Sequence, residues 1–184
     1  MTKLEIFNLS LDKLAISSLS TTTDGEVANL CERTYNMSRE YLLSTNNWGF
    51  SIIYLPLVKV TNVYIPDSSE FSLSYVFQTT SDTVLRLLRV QDKDYSGEYV
   101  YESGVIFTND DLADARVVVD VTDTTKFTSG FTKVLTVHMA WSMSEALTQS
   151  SSKQQSLEIE LNRTLHTAGI VDIMERGSHY TVKR

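Results

Sequence analysis

Between residues 24 and 50 the apolar positions recur at helical spacing. Ala28, Cys31, Tyr35, Ser38 and Leu42 fall on one face, and Val27, Leu30, Thr34, Met37 and Tyr41 form a second stripe beside it. Glu26, Glu32, Arg33, Arg39 and Glu40 lie mainly outside both stripes. The spacing predicts a helix that starts under a Thr23 or Asp24 cap. It ends at Ser44-Thr45-Asn46-Asn47, residues that favour caps and turns over helix interiors. A helix apolar over so wide an arc needs neighbours on more than one side, so this stretch is expected at the centre of a small bundle. Trp48 and Phe50 follow it and are expected, with Tyr35, to anchor its exit in the core.

The flanking patterns supply those neighbours. Leu4, Phe7, Leu11 and Leu14 predict a first helix over Thr2 to Ile16, and the polar connector Ser17 to Thr23 is short enough to return it against the second. Phe131, Val134, Leu135, His138, Met139, Trp141, Met143 and Leu147 predict a long, very apolar third helix, with Trp141 as a further core anchor. Gln149 to Ser152 breaks it. Leu157, Leu161 and Leu165 then predict a final helix over Ser152 to Thr167, with Gly169 as its stop.

The middle of the chain follows a different period. Ile52 to Leu57 is an apolar run interrupted by Pro56, which reads as an extended crossing. From Val58 onward β-branched and aromatic residues predict strands. Phe71, Leu73, Tyr75 and Phe77 alternate with Ser72, Ser74, Val76 and Gln78. Thr83 to Val90 fits either a strand or a helical turn. Tyr99 to Phe107 reads as a hairpin turning at Glu102-Ser103-Gly104, and the valines of Ala115 to Val121 read as a strand buried on both faces. The expected fold class is therefore α+β. N- and C-terminal helices form a four-helix bundle, and a mainly antiparallel β domain is inserted between them. The expected divisions are residues 1–57, 58–123, 124–169 and a C-terminal arm, 170–184.

Charge refines this picture. The net charge is −7. Residues 92–123 hold nine acids against Lys93 and Arg116, which equals the excess of the whole chain. Asp92, Asp94, Glu98, Glu102, Asp110 and Asp111 are its candidate lumen- or partner-facing residues. Such a surface does not suit sequence-independent DNA binding, which needs cations against phosphates. It suits a wall that DNA passes without sticking. The single cysteine, Cys31, rules out an internal disulfide and lies on an apolar helix face, where an inert thiol is expected. No apolar run is long enough to span a membrane, and the first residues lack the features of a secretory signal.

The search for chemistry returns little. His138, His166 and His179 lack zinc-site spacing, and no phosphate loop is present. Asp110-Asp111 lacks the further oxygen ligands that calcium needs. The serine clusters Ser17 to Ser20 and Ser150 to Ser152 have no base beside them. His138, one turn from Trp141, reads as a hydrogen-bonded core or interface residue. No cofactor is expected, and no enzyme.

The order of the motifs resembles a known family. EIFNLSLDKLAI opens the chain, CERTYNMSREYLL follows and closes on NNWGF, and VTDTTKFTSGFTKVLTVHMAWSMSEALTQS precedes the last helix. This arrangement is similar to the head-to-tail adaptor (tail tubular protein A, or gatekeeper) family of short-tailed bacteriophages. That family carries a Tyr-x-x-x-Arg element and a Trp-x-Phe-Ala-like signature; the matching positions here are Tyr35, Arg39, Trp48 and Phe50, with Ser51 where the family prefers alanine. Val121, Thr122, Asp123, Phe127, Phe131 and Ala146 to Ser150 match its later elements. The resemblance covers residues 1–168, through the helices above all. It implies a virion protein of the tail neck, made in the bacterial cytoplasm. It also implies a homo-oligomeric ring, a dodecamer, between the portal protein and the tail nozzle protein. DNA passes through that ring without sequence-specific binding.

Two further expectations follow. The arm contains Ile170, Ile173, Met174, Arg176, His179, Tyr180, Lys183 and Arg184, apolar residues ahead of a basic end. It is expected to order only on assembly, as an interface to the portal or the next subunit. The alternative function is a non-enzymatic ligand- or carbohydrate-binding module that uses Tyr64, Tyr75, Tyr99 and Tyr101 of the β domain. Exposed aromatics on the sheet favour it; covered ones favour the adaptor.

Overall fold

The computed structural model describes residues 1–23, 25–60, 75–79, 83–90, 99–102, 104–109, 111–112 and 114–177. The chain is α+β and divides into two units. Residues 1–50 and 121–184 form a helical unit, and residues 51–120 form a β unit. The expected division after residue 57 thus moves back to residue 50, because Ile52 to Pro56 pair within a sheet.

Four helices make the first unit: α1 (Lys3–Lys13), α2 (Glu26–Thr45), α3 (Ser129–Thr148) and α4 (Ser151–Gly177). Helix α1 starts on a capping box. Thr2 Oγ1 accepts from the Glu5 N–H at 3.3 Å, and Glu5 Oε2 accepts from the Thr2 N–H at 2.7 Å. It stops at Lys13, short of the expected Ile16, where Ala15 turns left-handed with φ 58°. Helix α2 starts on Gly25, whose φ of 95° suits glycine, and not on a Thr23 side chain. Thr128 caps α3 by accepting from the Phe131 N–H at 3.2 Å. Gln149, left-handed at φ 51°, ends it.

Helix α3 is the hub, and not α2 as the sequence suggested. It alone of the four packs extensively on each of the other three. The reason lies in its composition. Phe131, Val134, Leu135, Val137, Met139, Ala140 and Met143 are all fully buried, and together they point around the whole helix. Its polar residues turn back onto their own backbone: Thr136 Oγ1 donates to Thr132 O at 2.8 Å and Ser144 Oγ to Trp141 O at 2.7 Å. In α2 the first predicted stripe is buried, and of the second only Thr34 is. Met37 and Tyr41 of the second are 67% and 55% exposed.

Trp48, Phe50, Phe127 and Phe131 form one aromatic cluster. Trp48 meets Phe131 edge-on at 5.1 Å, and Phe50 meets Phe131 at 5.0 Å and Phe127 at 5.7 Å. Trp48 is buried and its indole N–H donates to Leu42 O at 2.9 Å, which closes the end of α2. Phe50 is half-buried at the edge of the cluster.

Helix α4 overruns its expected stop. It continues through Gly169 to Gly177, so residues 170–177 of the expected arm are its last turns. Asp172 explains this: it is buried, and its Oδ1 accepts from the Gly49 N–H at 2.9 Å, which holds the distal helix against the exit of α2. The buried face of α4 is Leu157, Thr164, Ala168 and Asp172; Leu161 and Leu165, the rest of the leucine row, are half-buried. Small residues allow a close approach here. A Cβ added at Gly130 would lie 3.3 Å from the Ala168 Cβ.

The β unit is a six-stranded antiparallel sheet: β1 (Ile52–Lys59), β2 (Tyr75–Thr79), β3 (Val84–Val90), β4 (Tyr99–Glu102), β5 (Val105–Thr108) and β6 (Asp114–Val119), in the order β3-β6-β1-β2-β5-β4. Pro56 does not break β1. Ile52 to Pro56 pair with β6 and Leu57 to Lys59 pair with β2, so the proline stands where the ladder changes partner. Thr83 to Val90 resolves as strand β3. The predicted hairpin is β4–β5, and Gly104 turns it at φ 80°. Val117, Val118 and Val119 of β6 are buried, as the valine run implied.

Trp48→Ala should cost about 3–5 kcal/mol in denaturant unfolding, because it empties a closed aromatic site. Trp141→Ala should cost clearly less, since that side chain is only half-buried. Equal losses would contradict the packing described.

Candidate functional site

Helices α2 and α4 both lean on α3 and leave a groove above it, with a volume of about 890 Å³. Leu30, Met37, Tyr41 and Leu42 of α2 form one wall, and Leu161 and Leu165 of α4 form the other. His138 and Trp141 of α3 lie at the base. Arg33 and Glu158 bring one charge of each sign. Leu30, Thr34, Met37 and Tyr41 of the second stripe of α2 and Leu161 and Leu165 of the leucine row of α4 thus line this groove.

His138 organises the base. Its ring stacks on Tyr41 at 5.3 Å and lies 5.7 Å from Trp141. Its Nδ1 is 2.9 Å from Ser38 Oγ, a bond that joins α3 to α2. Burial lowers its pKa below the ordinary value near 6.5. The indole N–H of Trp141 is enclosed and has no hydrogen-bond acceptor. Trp141 is therefore half-buried groove lining, and not the closed core anchor expected of it.

Tyr35 is the anchor expected. It is buried, meets Phe7 edge-on at 5.8 Å, and has Lys3 Nζ 4.8 Å and Arg39 5.5 Å from its ring centre. Arg39 was placed outside the stripes, yet it is buried and donates from Nη1 to Asn36 Oδ1 at 2.8 Å. The Tyr-x-x-x-Arg element is thus a packing unit of α1 and α2. Cys31 is buried 3.7 Å from Met143 Sδ, and desolvation pushes its thiol up to about 11, so it is held as a neutral thiol.

A second apolar patch lies on the distal turns of α4. Ile170, Val171, Ile173 and Met174 are exposed there, Ile173 and Met174 by 63% and 69%, and the exposed Ile159 stands apart from them, beyond Arg163 and His166. Ile170, Ile173 and Met174 thus stand on a formed helix. The side chain of Arg176 and the residues His179, Tyr180, Lys183 and Arg184 lie outside the described part. Among the acidic candidates Glu102 and Asp111 are exposed, and Asp92, Asp94, Glu98 and Asp110 lie outside the described residues.

Of the tyrosines of the alternative reading, Tyr64 and the side chain of Tyr75 lie outside the described part, and Tyr99 and Tyr101 stand on β4. Tyr99 and Tyr101 pair with Thr108 and Ile106, so they share a face with two buried residues. Tyr99 is 39% exposed and Tyr101 half-buried at the sheet edge. Tyr75 pairs with Thr108 from the other side.

Among the described residues no group of three His, Cys, Asp or Glu side chains could hold a metal ion. Among the described residues no helix is long and apolar enough to cross a membrane. Neither a protein-family model nor a curated protein matches the chain.

The lowered pKa of His138 has a stability consequence. The unfolded chain takes up its proton near pH 6.5, and the folded protein only at lower pH. Stability should therefore fall as pH drops through about 6.5, until pH passes the folded value. Denaturant unfolding at a series of pH values should show a shallower acid loss for His138→Gln than for the wild type. Parallel curves would mean that the imidazole is not desolvated.

Proposed function

We propose that this chain is a head-to-tail adaptor of a short-tailed bacteriophage. It is a structural virion protein, seated as a ring between the portal protein and the tail nozzle protein and surrounding the channel through which DNA leaves. In this reading the four helices act as one bundle carrying the β unit as an insertion. One observation carries the reading: the helical unit leaves two different apolar surfaces uncovered, the α2–α3–α4 groove and the patch Ile170, Ile173 and Met174 on the distal turns of α4. Contiguous apolar surface of this kind marks interaction sites. Two unlike patches on one chain suit a head-to-tail contact, which closes into a ring when the rotation per subunit permits.

Other features support it. The motif order cited above includes Tyr35, Arg39, Trp48 and Phe131, which make up the packing of the helical unit. The net charge of −7 suits a wall that DNA slides past.

The free protein is expected to be a monomer that forms its ring on the portal. Mixed with portal protein, it should co-elute in size exclusion. Failure to form a complex at any salt concentration would sink the adaptor reading.

Tyr41→Glu and Ile173→Glu should each weaken assembly on the portal by about tenfold, about 1.4 kcal/mol. Neither should move the monomer's melting temperature much, since both positions are exposed. Deleting residues 170–184 is a less clean test than the idea of a loose arm implied. It removes Asp172 from the Gly49 N–H and should lower stability together with attachment. A truncated monomer that melts like the intact chain would show that the distal turns of α4 are not docked.

A further inference from the structure

Two arginines and a tyrosine form one row across three strands of the β unit. Arg89 of β3 stands opposite Arg116 of β6, and Arg116 stands opposite Tyr54 of β1. Residues directly opposite share a face of the sheet. Arg89 Nη2 donates to the Tyr54 hydroxyl at 3.1 Å, and Tyr54 is 57% exposed, so the row opens to solvent. Arg86 stands one row along, opposite Val118, and makes an interaction of its own. Val118, two residues along β6 from Arg116 on the same face, is fully buried.

The row is electrostatically incomplete. Like charges directly opposite one another oppose pairing. The Nε donors of Arg89 and Arg116 are enclosed and make no hydrogen bond. Among the described residues no carboxylate lies within ion-pair reach of either. Asp114 shares the face two residues before Arg116, opposite Pro56, and makes no ion pair with it. Packing does not call for guanidinium groups here, and in a chain of net charge −7 their juxtaposition is not a consequence of composition.

We propose that this row is an oxyanion site that takes a phosphate group. The phosphate sits between the forks of Arg89 and Arg116, with the Tyr54 hydroxyl fixing the first fork. A guanidinium fork matches carboxylate or phosphate oxygens two at a time. One carboxylate fills one fork, whereas a phosphate has oxygens and charge for both. The chain's net charge of −7 repels a long polyanion. The favoured source is accordingly a free phosphate or a phosphomonoester, and not a nucleic-acid strand. The inference stands apart from the adaptor reading and does not need it.

The test is thermal unfolding and ³¹P line broadening of the full chain with inorganic phosphate, against chloride at matched ionic strength. The wild type should show a saturable rise in melting temperature. Arg116→Gln should lose it, and Arg116→Lys, which keeps the charge without the fork, should lose most of it. If Arg116→Gln fails to fold, Tyr54→Phe and Arg89→Gln carry the comparison. A short DNA single strand is the second arm. Loss in Arg116→Gln of strand binding, where free phosphate does not bind the wild type, assigns the same site to a phosphodiester source. The proposal is overturned if neither probe binds the wild type, or if each binds Arg116→Gln equally well.

Discussion

A helix that is apolar on every side sets the terms for the helical unit. Helix α3 cannot rest against a single neighbour, because fully buried residues such as Val134, Leu135, Val137 and Met139 point in different directions. Water must be excluded all around it, so α1, α2 and α4 each take a share. The high cost of exposing α3 is what makes residues far apart in sequence meet. Phe7 and Leu11 come from the first turns of the chain, and Leu157 and Ala168 from near its end.

That arrangement leaves something over. Helix α4 approaches α3 through small residues, Ala168 against Gly130, and holds the exit of α2 through one buried carboxylate, Asp172, which accepts from the Gly49 N–H. A close contact of this type spends little apolar area. Apart from the buried Leu157, the leucines and isoleucines of α4 are consequently directed to its flanks and outer side, where Leu161 and Leu165 line the groove and Ile170 and Ile173 face out. The groove and the distal patch thus arise from the same packing decision. An assembly contact would finish the burial that the fold begins.

The sheet solves a different problem. Proline cannot donate to a ladder, and arginines dislike facing each other, yet β1 contains Pro56 and β3–β6 contains the Arg89–Arg116 pair. Pro56 is accommodated by the change of partner strand at that position. Arg89 and Arg116 find no such accommodation among the described residues, which distinguishes a structural device from a feature that calls for a ligand.

Period and composition were enough to read the element types. The stripe Ala28, Cys31, Tyr35, Ser38 and Leu42, the apolar belt of α3, the β4–β5 turn at Gly104 and the buried valines of β6 are local patterns, and local sterics and solvation enforce them. Trp48 as an anchor was legible for the same reason: so large an apolar side chain beside a helix end has few other places to go. The tertiary structure alone decided which helix became the hub and which of two equivalent-looking stripes stayed wet. Met37 and Tyr41 are as apolar as the buried stripe, and only the direction of approach of α3 and α4 separates them. It also decided that α4 should run past Gly169, since glycine lowers helix propensity by about 1 kcal/mol and the Asp172 bond together with the Gly130 contact outweighs it. The Arg89–Arg116 row was invisible for a related reason. Strand register brings residues far apart in the chain face to face, and register is a property of paired strands, not of either strand read alone.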